Sequence, residues 1–288
     1  MNSNIHTSPK DSPQSRVTPL HGFSGCEVIL IETPEKSFVR KIAADVAYNE
    51  RLQKQMTKQV QFQAGKDFLT AAVIASGTQD SGLFYFDMDY ISGASAAELI
   101  AAMPLSEIQH WSQLLLNLAR GDMREILSPA LFQDKLSDLQ KQLAQRQLTR
   151  DVQTVLQLLT QRAWDNIPST PCHGDATLEN MILHDRQIVM IDFLDSFAES
   201  WFIDIAKLMQ DLRGRWSFRY DRPSHNLFLR LSALRLNFEQ LLNEQHPRCM
   251  TAILDLYALN LLRIIPYCVS AKELSFVERL LSELLPDL

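Results

Sequence analysis

The chain has 288 residues, 46% of them hydrophobic, with a formal net charge of -6. That is enough apolar material to bury a sizeable core in one large domain or two lobes, and the negative balance argues against a nucleic-acid binder that works by neutralising phosphates. Cys26, Cys172, Cys249 and Cys268 show no CxxC pair or close ladder, so neither a zinc knuckle nor a disulfide scaffold is expected, and reduced thiols in a cytoplasm are the simplest reading.

Residues 1–18, beginning MNSNIHTSPKDSPQSR, carry Pro, Ser and charge without an apolar core, which predicts a flexible tail and no secretory signal. A first lobe is expected over 19–91. There CEVILIETPEKSFVRKIA reads as a hairpin split by a Thr-Pro-Glu-Lys turn. DVAYNERLQKQMTKQVQF follows as a helix with Val46, Leu52 and Met56 as its sparse apolar positions. TAAVIAS and GLFYFDMDY, joined by GTQDSG, predict a second hairpin and so a sheet of at least four strands.

ISGAS is the connector to a helical lobe over 92–288. After a segment opening at Ala96–Ala102, helices are predicted over Leu105–Leu127, Phe132–Gln147 and Asp151–Trp164, with Pro104 and Pro129 near starts, where a missing N–H costs least. Helical periodicity resumes over Ala198–Leu212, Ser224–Gln245, Pro247–Ile264 and Lys272–Leu284. No apolar run reaches the roughly 20 residues of a membrane span. Between the two helical groups lies one short hairpin, MIL and QIVMIDF, turning at His184, Asp185 and Arg186.

This hairpin carries the polar cluster of PCHGDATLENMILHDRQIVMIDFLDS. Pairing its strands brings Asn180 and Asp192 together. An Asn carbonyl beside a carboxylate suits Mg²⁺, which takes few protein ligands and completes its shell with water and phosphate oxygens. Asp175, in the loop before, is left to accept a proton or orient a nucleophile.

HGDATLEN followed by IDFLDS resembles the signature of the aminoglycoside phosphotransferase and choline kinase family, which shares the protein-kinase fold. Gly174 in place of Arg, and Asp192-Phe193-Leu194-Asp195 in place of Asp-Phe-Gly, favour its small-molecule branch over a protein kinase. The resemblance implies an α+β, protein-kinase-like two-lobed fold: a small N-terminal β-sheet lobe with one main helix, and a larger, mostly helical C-terminal lobe. It implies Asp175 as catalytic base, Asn180 and Asp192 as Mg²⁺ ligands, and His173 as a brace of the loop. In FIDIAKL, Asp204 would hydrogen-bond the loop backbone. Asp195 would touch acceptor or metal, or cap the next helix. Where the family often has Gly-Asp-Pro, this chain has Glu199-Ser200-Trp201.

For ATP, the resemblance implies adenine against the connector backbone at Asp87, Met88, Asp89 and Tyr90. It implies a turn over the phosphates in HGFSGCEV, using Gly22 and Gly25. Lys41 is expected at the α and β phosphates, with Arg40 as competitor because strand parity leaves the two open, and Glu50 as the helical acid pairing with Lys41. Downstream, Arg213, Arg215, Arg219, Arg222, Arg230 and Arg235 face the single acid Asp221. The family's helical lobe lines the acceptor pocket in this region, so the guanidinium density points to a neutral or anionic acceptor rather than a polycation. Trp216 and Tyr220 offer ring faces for a sugar. IDFLDSF and DIAKLMQDL are similar to relatives in polysaccharide biosynthesis. The expected protein is therefore an ATP- and Mg²⁺-dependent kinase acting on a hydroxyl of a small molecule, a sugar or sugar-like metabolite, with no nucleic-acid partner. A nucleotide-binding pseudokinase acting through a partner is the alternative.

Overall fold

The computed structural model describes residues 15–20, 25–62, 67–120, 125–220 and 224–288. They fall into two compact units. The first comprises the described part of Met1–Val60 with Ala71–Ile91. Its strands are β1 (Arg16–Leu20), β2 (Glu27–Glu32), β3 (Ser37–Ile42), β5 (Val73–Thr78) and β6 (Phe84–Asp89), in the antiparallel order β1-β2-β3-β6-β5. Both predicted hairpins are present. The β2–β3 turn closes through Thr33, whose N–H donates to the Lys36 carbonyl at 2.9 Å.

Two corrections to the sequence reading concern this unit. Residues 16–18, assigned above to the tail, lie in β1, where Arg16 pairs with Glu32. β1 is an edge strand, the place in a sheet that tolerates a proline such as Pro19, and that proline hid the strand pattern. The helix α1 (Asn49–Gln61) follows a single 3-10 turn capped by the Asp45 carboxylate on the Tyr48 N–H. Its buried positions are Leu52, Gln55 and Gln59, whereas Val46 is 63% exposed. The glutamines take core positions because their amides are satisfied: Gln59 Nε2 donates to the Ala71 carbonyl at 2.6 Å and Gln55 Oε1 accepts from Lys41 at 3.3 Å.

The second unit comprises Gln61–Thr70 and Ser92–Leu288. The predicted hairpin, β8 (Met181–His184) and β9 (Gln187–Met190), is the centre of a four-stranded sheet, β4-β9-β8-β7. β4 (Phe68–Thr70) runs parallel to β9, and β7 (Ala94–Ser95) antiparallel to β8. The helices are α2 (Ala96–Ala102), α3 (Ile108–Leu116), α4 (Pro129–Leu143), α5 (Arg150–Thr160), α6 (Trp201–Leu212), α7 (His225–Gln245), α8 (Met250–Ile264) and α9 (Ala271–Leu284). α3 stops well before Leu127, its end tightening into i to i-3 bonds at Asn117, Leu118 and Ala119.

α6 and α8 are buried on nearly every side and form the centre of this unit, packed on each other and, in turn, α6 on α7 and α8 on α9. Residues 250–267 have the length and hydropathy of a membrane span, contrary to the sequence reading, but 67% of that segment is buried inside the protein, as in a core helix.

Candidate active site

The turn between β8 and β9 is made by Asp185 and Arg186, both with positive φ (47° and 67°), as a two-residue hairpin connection requires. At the open end of the hairpin Met181 pairs with Met190, and the Asn180 carbonyl accepts the Ile191 N–H at 3.0 Å. Asn180 and Asp192 therefore stand at the end of neighbouring strands. Asp192 sits at φ 60°, a left-handed conformation that a non-glycine residue adopts at a cost, and such residues gather at functional sites.

The loop before β8 is irregular, and its backbone is held from outside. Asp204, buried on α6, accepts the N–H groups of His173 and Gly174, each at 2.7 Å. Gly174 has φ 88°, which explains a glycine at this position. The His173 ring accepts the Asp175 N–H on Nδ1 at 3.2 Å and reaches the Ile191 carbonyl with Nε2 at 2.8 Å, so it ties the loop to the strand exit. It also packs on Phe193, with ring centroids 4.2 Å apart. A second α6 carboxylate, Asp211, accepts from the N–H of Leu178 at 2.6 Å and of Ser217 at 2.7 Å.

Asp175 itself is gripped at both oxygens. Oδ1 lies 2.9 Å from Lys207 Nζ, and Oδ2 accepts from Asn180 Nδ2 at 3.2 Å, the same amide that donates to the Asp175 carbonyl at 2.9 Å. Burial pushes the Asp175 carboxyl upward, but the Lys207 ammonium and the Asn180 amide outweigh it and hold it below the usual carboxylate range. Burial raises Glu179, with Arg219 opposing at 3.4 Å and the charges of Asp175 and Asp192 adding to the rise. Asp211 is pushed up to about 6 by burial, against the pull of its two N–H donors. The sequence reading missed Lys207 and Asp211. Their signal is their spacing from Asp204 on a mostly apolar helix, i, i+3 and i+7, which stacks all three on one face.

In the first unit, Lys41 is 3% exposed and bonds Gln55, while Arg40 points to the other face of β3 and grips Asp87 with two bonds of 2.7 and 2.9 Å. Glu50 does not meet Lys41. It lies on the solvent side of α1 and pairs with Lys54 at 2.8 Å, because the helix turns Leu52, Gln55 and Gln59 inward. Asp87 and Met88 are inside β6, a strand paired on both edges, and the Asp89 N–H donates to the Ala72 carbonyl. The sheet uses this backbone, so the expectation that adenine reads it fails at Asp87 and Met88. Tyr90, just beyond the strand, is 44% exposed. Gly25 has φ 76°, and Gly22 lies outside the described residues.

The profile of the phosphotransferase enzyme family matches residues 17–236, a span that takes in Lys41, Asp175, Asn180, Asp192 and Asp204. The chain belongs to that family. No curated protein sequence matches this phosphotransferase, but solved structures do. A thermostable mutant of aminoglycoside phosphotransferase APH(4)-Ia in its apo form superposes with a TM-score of 0.63 at 13% identity, covering 95% of this chain and 94% of that one. The GDP complex of aminoglycoside 2'-phosphotransferase-IIIa gives 0.61 at 14%, covering 97% and 95%. A putative fructosamine-3-kinase from Haemophilus somnus 129PT gives 0.58 at 13%, covering 93% and 90%. At such identities the likeness carries the fold, which is protein-kinase-like.

The donor set of this phosphotransferase fits Mg²⁺. Because Asn180 Nδ2 faces Asp175, the other end of the amide, Oδ1, is turned away from it and is not used by that pair of bonds. Among the described residues no group of three or more His, Cys, Asp or Glu is arranged to hold a metal. An Asn amide oxygen and an Asp carboxylate are hard oxygen donors of the kind Mg²⁺ takes when water and phosphate complete its shell.

Most of the described residues expected to line the acceptor site have partners within the protein. Arg213 pairs with Glu239 at 2.8 Å and with Asp287, and with Arg215 and Arg235 it lines a cavity of about 260 Å³ beside Tyr257. Arg219 bonds Glu179 and lies over the rings of both Trp216 and Tyr220, 4.6 and 4.8 Å from their centroids, so each of those rings already has a guanidinium on one face. Arg235 pairs with Glu239, Arg230 bonds the Met103 carbonyl, and Arg222 lies outside the described residues. Much of the cationic density that suggested an anionic acceptor is therefore neutralised internally. Asp195 is partly exposed and does not cap α6, since Ser200 does so through the Phe202 N–H.

Proposed function

We propose that this phosphotransferase is a kinase that uses ATP and Mg²⁺ to phosphorylate a hydroxyl of a small molecule, a neutral sugar or sugar-like metabolite. One observation carries the reading: Asp175 is held by Lys207 on one oxygen and by Asn180 on the other, and Asn180 ends the strand beside Asp192. The APH(4)-Ia relative was solved in a ternary complex with ADP and hygromycin B, which supports nucleotide use on this fold. The pairing of Arg213, Arg219 and Arg235 with acids supports a neutral acceptor over an anionic one.

In this reading Asp175 takes the hydrogen bond of the acceptor hydroxyl and aims its oxygen at the γ-phosphorus. As that bond forms, the bond from the γ-phosphorus to the bridging oxygen breaks, ADP leaves, and the hydroxyl proton passes to Asp175. Asn180 and Asp192 would hold Mg²⁺, which neutralises phosphate charge when bound. Lys41 is the cation for the α and β phosphates, because Arg40 is committed to Asp87. His173 and Asp204 brace the loop from behind.

Incubating the chain with ATP, Mg²⁺ and a panel of neutral sugars, sugar acids and amino sugars tests this, with acceptor-dependent ADP release and mass spectrometry of the product as readouts. Asp175→Asn is expected to slow turnover about a hundredfold to ten-thousandfold while ADP affinity is kept. Equal turnover in parent and variant would remove Asp175 from the role of base.

A further inference from the structure

We infer that Lys207 is a positioning residue of the phosphotransfer reaction, fixing the aim of the Asp175 carboxylate from α6. The inference rests on the reading above.

Asp175 lies on a loop with no ladder of its own, so little in the local backbone sets the rotation of its carboxylate. Two donors do so. Asn180 holds Oδ2 from within the same loop, and Lys207 holds Oδ1 from a helix outside it. The outside donor is the more rigid, because α6 also anchors the loop on either side of Asp175: Asp204 takes His173 and Gly174, and Asp211 takes Leu178. Lys207 sits between those anchors, one turn from each, with its side chain only 13% exposed. The whole unit from residue 173 to residue 178 is thus indexed to one face of one helix, and the reactive carboxylate is indexed with it.

The chemistry favours such a device. A phosphoryl acceptor must be presented in line, and an error of about 1 Å in a group that positions substrate costs about a hundredfold in rate. A largely buried lysine also has to be matched by an acid to be tolerated, and here the acid it meets is the proposed base. The ammonium stays beside the reacting hydroxyl, which disfavours an acceptor carrying its own ammonium next to that hydroxyl.

The test uses the full chain with Mg²⁺, ATP and whichever acceptor of the panel the parent turns over, comparing Lys207→Met, Lys207→Arg, Asp175→Asn and the double variant Lys207→Met with Asp175→Asn. The expected result is a kcat about tenfold to a hundredfold lower for Lys207→Met, with KM for ATP and ADP affinity within twofold of the parent, and partial recovery of kcat in Lys207→Arg. The double variant is expected to turn over no more slowly than Asp175→Asn alone, because a residue that acts only through Asp175 has nothing left to aim. It removes both charges together, so it keeps the test decisive if Lys207→Met alone folds poorly. Parent-like kcat in Lys207→Met, or a further tenfold loss in the double variant, would overturn the inference and leave the assignment of Asp175 standing. A parent that releases no ADP with any acceptor would instead bring down the kinase reading, and this inference with it.

Discussion

Asp204 provides the sharpest test of how the loop is held. Its buried carboxylate accepts two backbone N–H groups, from His173 and Gly174, both at 2.7 Å, and both residues are themselves buried. Replacing it with Ala strands two donors that water cannot easily reach. A hydrogen bond to a charged group contributes about 1.5 to 3 kcal/mol, so the loss sums to about 3 to 5 kcal/mol after some relaxation. That is a large share of the 5 to 15 kcal/mol, roughly, that keeps a domain folded. Asn retains one acceptor and turns an NH₂ towards the other N–H, so about half the loss is expected for Asp204→Asn. All four tryptophans, Trp111, Trp164, Trp201 and Trp216, lie in the second unit, so intrinsic fluorescence in a urea titration follows that unit. The expected order of midpoints is parent, Asn, Ala, at constant m. A loss below about 1 kcal/mol for Asp204→Ala would show that the carboxylate does not hold the loop.

Three further outcomes are expected. Lys41→Met, which keeps the volume of a buried side chain, should weaken ATP binding about tenfold to a hundredfold, measured with a fluorescent nucleotide, since a charged bond to phosphate is lost. Glu50→Ala should leave nucleotide affinity and the unfolding midpoint unchanged, because Glu50 pairs with Lys54 across the solvent face of α1, whereas Gln55→Leu should weaken nucleotide binding about fivefold by removing a partner of Lys41. The folded-state carboxyl of Asp211 titrates at about 6 against 3.8 for the ordinary group. The native state therefore binds more protons than the unfolded chain between these values, and stability falls as pH rises through that window, by up to about 3 kcal/mol. Urea titrations at pH 4.5 and 7 should show a smaller fall in Asp211→Asn, which cannot ionise there, and an identical fall would rule Asp211 out as its source.

What was legible in the sequence depended on how local the signal is. The two N-terminal hairpins and most helices announced themselves by period and by turn residues, and the Asp175, Asn180 and Asp192 spacing is the direct product of one loop and one hairpin. Strands too short to show a period were invisible: β4 and β7 have three and two residues, and they become strands only because β8 and β9 offer edges to pair with. Glu50 illustrates a different failure. Leu52 and Met56 already fix the inward side of α1, and a residue two positions before Leu52 falls well outside that arc. The helical phase was available, but the need for an acid opposite Lys41 overrode it. At Asp87 and Met88 the resemblance supplied a connector where pairing of Phe38 with Asp89 continues the sheet.

Lys207 shows why the remainder was hidden, and why the fold and the proposed chemistry depend on the same bonds. A loop that presents a carboxylate to substrate has no regular ladder, and its N–H groups must find acceptors elsewhere or stay unpaired in the interior. α6 supplies those acceptors through Asp204 and Asp211, at i and i+7, nearly two full turns apart and so on the same face. Between them, at i+3, stands a cation that pairs with the loop's own carboxylate. Each of these charges alone would be a costly thing to bury in the core. Together, each is matched by a partner on the loop, and the pattern has meaning only once helix and loop are seen side by side. In the sequence they are three polar letters in a hydrophobic run, about thirty residues from the groups they serve.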